Sequence, residues 1–455
     1  EVIEKALLHI VPHIAKSDNE VNTVIELIVN SMAHIPSARR LSLCTSVVNS
    51  TSNKKIFVLV CKILKKHSSA DEFAQFCADL VLSFDINKQL KTILRIVQFV
   101  HDLNTGKGKQ TNDQKCCFDE SQAEEEEVND FSKKLLQFAS SYLENVEFLK
   151  HYSTISNEDK EKKIQALLIQ VAELLVVTEC TLLAKSKTSR DEDNEDTAKG
   201  AIAGFIIGVL QLVLQLLTTE NFVTFIKIML KNEMVQIKVK ALELFNLRLG
   251  DPTDEAAASL EEGKEHVISM FNVFSKLIKS EESSYAIVQS SIVAIELVTR
   301  RFSEQVNATA IKYVPLLLEK LAEDNAMIQG SAVLCLATIA CELPMLVLEH
   351  LPAIFSSIIG LLKGYVFAAN KDKLDGASQL PCACCLAAIV LLSQRHSKYI
   401  SPYIADLLTL CIHPKLNTSA KLVEKVTLLG KFITTQLETR LVLAPLLTVF
   451  SSAIE

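Results

Sequence analysis

The sequence predicts an all-α chain, a solenoid of stacked antiparallel helix pairs, and three observations carry that expectation. Almost half of the 455 residues are apolar (49%), while the chain holds only 12 Gly, 10 Pro and 7 Tyr and no Trp. The turn residues that a chain of many hairpins needs are therefore scarce. Apolar side chains recur at three- and four-residue steps, most clearly over Lys160–Ala184, where Ile164, Leu167, Leu168, Val171, Leu175, Thr178 and Leu182 fall on one stripe. Sustained period-two alternation is missing, and the lone Asp375-Gly376 dipeptide sits in a polar loop.

Each element follows from local signals. A single compact core rarely exceeds about 250–300 residues, so this length favours an extended array. Periodic segments number roughly twenty, each of about 12–25 residues, joined mostly by short polar turns, as in arrays with a unit of about 40–47 residues. Ser156 with Asp159 three residues on suits a capping box, and Asp251-Pro252 and Ser401-Pro402 place a capping side chain before a Pro at the first helical position. Prolines near the start of an apolar helix recur at Pro315, Pro352, Pro402 and Pro445, spaced by 37, 50 and 43 residues. Three further helices open on Ile237-Lys238-x-x-Ala241, Val288-Gln289-x-x-Ile292 and Ile328-Gln329-x-x-Ala332. These resemble the Val-Arg-x-x-Ala start of the second helix of a HEAT repeat, with Gln replacing the base in two of the three.

HEAT-like helical repeats are thus expected over residues 1–103, 131–184 and 200–455, separated by acidic flexible loops at 104–130 and 185–199. Low hydrophobicity and dense acid in those two stretches leave too little burial to offset the entropy of ordering. Ser121 and Ser189 each precede an acidic residue by three positions, a context for an acid-directed kinase, against the plainer reading of a solvated spacer. Glu1 opens and Glu455 closes the chain beside apolar segments, and both ends read as cut from something longer.

A formal net charge of -7 gives no global attraction to nucleic acid or anionic lipid, so any such contact has to be local. The 12 cysteines are scattered through apolar stretches and read as small hydrophobes of a reduced compartment, which makes the sequons at Asn49, Asn307 and Asn417 chance matches. The uncharged run Gly200–Thr219 has the Gly204/Gly208 spacing of a membrane helix, but Gln211 and Gln215 interrupt it. Similar runs recur at Asn325–Cys341 and Gly376–Gln394, which fits helices buried on two sides and no membrane.

Catalytic chemistry is not indicated. Gly106-Lys107-Gly108-Lys109 lacks the first Gly of a phosphate loop and is followed by Gln110, no HExxH or GxSxG occurs, and the 10 histidines are dispersed. The expectation is a non-enzyme with no cofactor and no small-molecule substrate. Cys382 and Cys385 have metal-ligand spacing, with His396, Cys411 and His413 downstream, yet they lie within one apolar helix and read as buried thiols; no metal site is expected. For nucleic acid, Lys55, Lys62 and Lys66 fall near one face of the helix Asn53–His67, with Lys54 and Lys65 beside them. They are the candidate phosphate-contacting strip, against the alternative of a solvated outer face. Lys227, Lys231, Lys238, Lys240 and Arg248 make a second basic group, and neither group has the interleaved aromatics of a stacking platform.

Three stretches, VKALELFNLRL (Val239–Leu249), GSAVLCLATIACELPMLVLEHLPAIFSSI (Gly330–Ile358) and KYISPYIADLLTLCIHP (Lys398–Pro414), resemble the large HEAT-repeat small nucleolar RNA-associated proteins of the small-subunit processome. The resemblance runs from about Lys231 to the end. It implies a non-catalytic scaffold in the nucleolus of the nucleus, serving small-subunit pre-rRNA processing and ribosomal-DNA transcription. The partners it implies are other processome proteins and pre-ribosomal RNA or a small nucleolar RNA ribonucleoprotein, contacted directly or indirectly. No functional residue carries over, because the shared positions are packing positions. The alternatives are a HEAT-repeat nuclear transport receptor and a membrane-anchored adaptor using Gly200–Thr219.

Overall fold

The computed structural model describes residues 18–51, 55–67, 71–106, 110–118, 124–186, 193–367, 376–417 and 419–454. These residues form α-helices and short 3-10 turns, with no strand among them. They divide into two compact units, Glu1–Met229 and Leu230–Glu455.

The first unit contains α1 (Asp18–Ser31), α2 (Ser37–Ser50), α3 (Lys55–Lys66), α4 (Asp71–Leu82), α5 (Ile86–Thr105), α6 (Asn112–Cys117), α7 (Glu125–Leu143), α8 (Val146–Ser153), α9 (Glu158–Ser186), α10 (Asp193–Leu216) and α11 (Thr219–Met229). Its centre is α3, on which α1, α2, α4, α5, α6 and α7 all pack. Every residue from Lys55 to Leu64 is buried as a result. A helix apolar around its whole circumference is stable only inside such a sheath. The 29-residue α9 is held between α5, α10 and α11, and its stripe Ile164, Leu168, Val171, Leu175 is buried as the periodicity predicts. Its start is capped by Asn157, whose Oδ1 accepts from Lys160 N at 3.1 Å, rather than by Ser156.

Within the acidic stretch 104–130 the described residues include two helix starts. Thr111 and Gln114 form a capping box that starts α6, and Cys117 and Phe118 are buried against the body of the unit. Glu125, Glu126 and Glu127 are the first turn of α7, where the partial positive charge of a helix N-terminus favours carboxylates. The run of acid is therefore a helix start as much as a spacer. Likewise α9 extends to Ser186 and α10 begins at Asp193, so the uncharged run 200–219 is mostly the later part of a longer helix. Residues 107–109, Ser121 and Ser189 lie outside the described residues. Gly106 ends α5 in the left-handed region (φ 62°), its N–H bonded to Asp102 O at 3.1 Å.

The second unit contains α12 (Val235–Gly250), α13 (Asp254–Glu262), α14 (Lys264–Ile268), α15 (Phe271–Lys279), α16 (Tyr285–Arg301), α17 (Ser303–Ala310), α18 (Val314–Lys320), α19 (Ala326–Glu342), α20 (Leu351–Phe367), α21 (Gly376–Arg395), α22 (Ile404–Ile412), α23 (Ala420–Gln436) and α24 (Thr439–Ile454). Five of them form one row in which α12 packs on α16, α16 on α19, α19 on α21 and α21 on α23. The helix before each, α15, α18, α20 and α22, covers its own partner in the row. This is the layering of HEAT pairs. The three sequence-identified helix starts open α12, α16 and α19, and Ile237, Ala241, Val288, Ile292, Ile328 and Ala332 are all buried. Gly330 lets α19 approach α21, since a Cβ there would meet Cys384 Sγ at 3.3 Å. Pro315 and Pro352 stand in the first turns of α18 and α20 and Pro402 in a 3-10 turn leading into α22, but Pro445 lies inside α24. Asp251 closes α12 and the cap of α13 is Thr253, which accepts from Ala256 N at 3.3 Å.

One turn recurs in both units. Gln89 and Gln329 each stand four residues after a helix N-cap, Asp85 and Asn325, and both are buried. Gln89 Nε2 donates to Leu82 O (3.3 Å) and Phe84 O (2.7 Å), while its Oε1 accepts from Tyr142 Oη at 2.8 Å. Gln329 Nε2 donates to Leu321 O (3.1 Å) and Glu323 O (2.7 Å), and its Oε1 accepts from Tyr365 Oη. The amide thus ties off carbonyls orphaned where the preceding helix ends. At Gln329 the amide serves where the HEAT pattern has a base, its two N–H donors spent on the turn.

By length and composition, Glu158–Lys185 and Ser378–Arg395 could cross a membrane, and Gly200–Leu216 is shorter. Both longer helices lie between neighbours in the fold, and Gly204 and Gly208 make no close helix approach, since a Cβ at either would meet nothing within 4 Å.

Candidate interaction surface

The three lysines expected to line a phosphate strip are placed differently by α3. Lys55 is 1% exposed, and its Nζ donates to Asp113 Oδ1 of α6 at 2.7 Å and to Asn22 Oδ1 of α1 at 3.0 Å. A charge taken this far from water persists only with such partners. Lys62 is also buried along its stem and pairs with Glu26 Oε2 at 3.0 Å. Lys66 alone of the three is exposed, and it donates to Asn30 Oδ1 of α1. The lysines therefore knit α3 to α1 and α6, and they do not present one cationic face. Sequence periodicity placed them correctly on a common side of the helix but could not reveal that α1 and α6 cover that side.

A cation on the neighbouring helix borders a cleft instead. Arg95 of α5 lines a cleft of about 390 Å³ with Phe57, Gln98, Thr111, Asn112, Asp113 and Gln114. Burial lowers its pKa from the usual guanidinium value, and the nearby Asp113 opposes that shift. Sequence reasoning passed over it because a single Arg on a periodic helix carries no local signal.

In the second basic group Lys231 is exposed, while Lys238, Lys240 and Arg248 are half-buried on α12. Arg248 reaches Ser259 Oγ at 3.5 Å, and burial lowers its pKa. Lys227 belongs to α11 of the first unit.

Cys382 and Cys385 are buried on α21, where burial pushes the Cys385 thiol well up. His396 Nε2 is engaged by Ala340 O at 2.9 Å, Cys411 is pushed up to about 11 by burial, and His413 stands edge-on to Phe367. These groups are spent in packing and backbone bonds, and no group of three or more His, Cys, Asp or Glu fit to hold a metal occurs among the described residues.

This layered row of helix pairs makes the chain an all-α solenoid of the HEAT type. No family model matches the sequence. In particular, it is similar along its whole length to HEAT repeat-containing protein 1: it is 23% identical over 507 residues to the Dictyostelium discoideum homolog, covering 100% of this chain and 22% of that protein. With the Homo sapiens HEAT repeat-containing protein 1 the identity is 22%, covering 97% of the chain and 22% of the relative. The U3 small nucleolar RNA-associated protein 10 of Neurospora crassa is 20% identical over 83% of the chain and 20% of its own length. The chain thus spans about a fifth of the length of these relatives, and the likeness extends through the first unit, beyond the half that carries the recognisable motifs. Among solved structures, the karyopherin Kap121p bound to the SUMO protease Ulp1p superposes with a TM-score of 0.49 at 14% identity, over 98% of this chain and 39% of that one.

Proposed function

We propose that this chain is part of a non-catalytic scaffold of the nucleolar small-subunit processome, supporting pre-rRNA processing for the small ribosomal subunit and ribosomal-DNA transcription. The observation that carries the reading is similarity along the whole of this chain to about a fifth of HEAT repeat-containing protein 1, joined by a relative named for association with U3 small nucleolar RNA. The row of stacked helices is compatible with it, because pairs that bury their faces only against neighbours leave long surfaces on which several proteins can assemble. Other processome proteins and pre-ribosomal RNA are the partners under this reading, in the nucleolus.

The test is depletion of the intact protein with sedimentation of its complexes. Small-subunit rRNA should fall while large-subunit rRNA is less affected at early times, and the protein should travel with pre-ribosomal particles. Sedimentation free of those particles, with unchanged small-subunit precursor cleavage, would overturn the proposal. GTPase-dependent release of a bound cargo would support a transport receptor instead, and resistance to carbonate extraction a membrane adaptor.

A further inference from the structure

The cleft beside α6 holds a cation whose obvious counter-charges are already committed. Asp113, the carboxylate closest to Arg95 in effect, is neutralised by Lys55 at 2.7 Å and further bonded by Asn22 Nδ2 at 3.3 Å. Asp102, one turn along α5 from Gln98, accepts from Gln98 Nε2 (2.9 Å) and Gln114 Nε2 (2.7 Å). Arg95 itself makes no ion pair among the described residues, although it is half-buried, and Lys91 one turn before it on the same face of α5 is exposed and likewise without an ion pair. Three cations, Lys55, Lys91 and Arg95, stand against two carboxylates, Asp102 and Asp113, so the surroundings of the cleft keep one net positive charge.

The donors around that charge suit an oxyanion with several acceptors. A guanidinium presents N–H groups in a fixed fork matched to phosphate. Thr111 Oγ1 accepts from Gln114 N at 3.3 Å, which leaves its hydroxyl proton to donate, and the Asn112 side chain is exposed at the same rim. Among the described residues no base-stacking platform lines the cleft, since Phe57, its one aromatic, is 3% exposed. A nucleic acid would therefore be held by its backbone and not by its bases. Two uncommitted cations one helical turn apart fit a repeating line of phosphates better than the single phosphate of a modified peptide.

We infer that the cleft between α5 and α6 takes a phosphate of a single-stranded RNA backbone, with Arg95 as its ligand and Lys91 on the adjoining phosphate. The choice of RNA as the source of the phosphate rests on the proposed processome role. Binding is independent of base sequence and weakens with salt, because each neutralised phosphate of a single strand contributes about -0.7 to the slope of log affinity against log salt.

The experiment measures fluorescence anisotropy of a mixed-sequence single-stranded RNA oligonucleotide with the full chain over a series of salt concentrations. Arg95→Gln should weaken binding on the order of tenfold and reduce the slope by about 0.7, uniformly across RNA sequences. Lys66→Gln, on α3, should do neither. Equal losses from Arg95→Gln and Lys66→Gln would mean diffuse surface charge and overturn the inference, as would an unchanged slope in Arg95→Gln. Displacement by a phosphoserine peptide but not by unlabelled RNA would also overturn it, in favour of a peptide site. If Arg95→Gln does not fold, Lys91→Gln carries the slope measurement, and Arg95→Lys, which keeps the charge and loses the fork, should weaken binding with the slope unchanged. Loss of RNA affinity in a protein that never joins pre-ribosomal particles would refute the processome reading and leave the cleft standing. Cosedimentation of a protein that binds RNA with an unchanged slope in Arg95→Gln would do the reverse.

Discussion

The two units solve the same problem, a helix buried on all sides, by different chemistry. In the second unit α19 carries no charged residue from Ala326 to Cys341 and is enclosed by α16, α18, α20 and α21 through apolar contacts and the hydrogen bonds of Gln329 and Thr338. In the first unit α3 is enclosed just as fully but carries Lys55 and Lys62 into the interior, where Asp113, Asn22 and Glu26 meet them. The comparison teaches that burial by repetition tolerates an uncharged helix, whereas burial by wrapping has used ion pairs to fix which helices do the wrapping. Neutral apolar faces can slide; a buried amine with two specific acceptors cannot.

The largest effect should come from breaking the apolar case. Leu336→Asp or Ile339→Asp puts an unpaired carboxylate at positions with 0% exposure, at a cost exceeding about 4 kcal/mol. Thermal melts followed by circular dichroism should show the second unit unfolded while the first retains its transition; a single unperturbed melt would contradict this. Next in size is Lys55→Ala, which strands Asp113 and should cost about 3–5 kcal/mol, while the double variant Lys55→Met/Asp113→Leu, which removes both charges, should cost far less. Hydrogen exchange sharpens the contrast: Lys55→Ala should speed exchange across Asn112–Cys117, and Leu336→Asp should not.

A smaller and matched effect is expected at the shared turns. Gln89→Leu and Gln329→Leu each strand two carbonyls, at about 1–3 kcal/mol apiece by denaturant titration, and a much larger loss in one unit would show that the two turns are not equivalent. The smallest effect belongs to Glu296 of α16, whose carboxyl is raised above its ordinary range by burial, against Arg300 and the Thr338 hydroxyl at 3.2 Å. The folded state then holds the proton more tightly than the unfolded chain, so stability falls as pH rises through the window above the usual value of 4.5. Glu296→Gln should raise Tm at neutral pH and flatten that dependence; a Tm unchanged at neutral pH would count against it.

These contrasts also explain what could be read in advance. The second unit was legible because three helix starts repeat a pattern, Ile328-Gln329-x-x-Ala332 among them, and apolar burial is what periodicity reports. The first unit was legible only as helices. Its wrapping depends on partners remote in sequence, as Lys55 meets Asp113, and α6 sits in a stretch whose acid content argued for a spacer. The candidate site moved for the same reason: which lysines are covered is a tertiary fact, and Arg95 became conspicuous only once the acids around it were seen to be taken.

The glutamine turns have a genetic consequence. A single base change turns a Gln codon into one for Glu or one for Arg. Glu is nearly the same size and shape, yet it has no N–H to offer and would aim negative charge at the carbonyls of Leu321 and Glu323. Arg is longer and charged, yet it keeps several donors and matches the base that HEAT sequences carry there. At Gln329 the substitution that looks conservative removes both donors to the turn, and the one that looks radical keeps them.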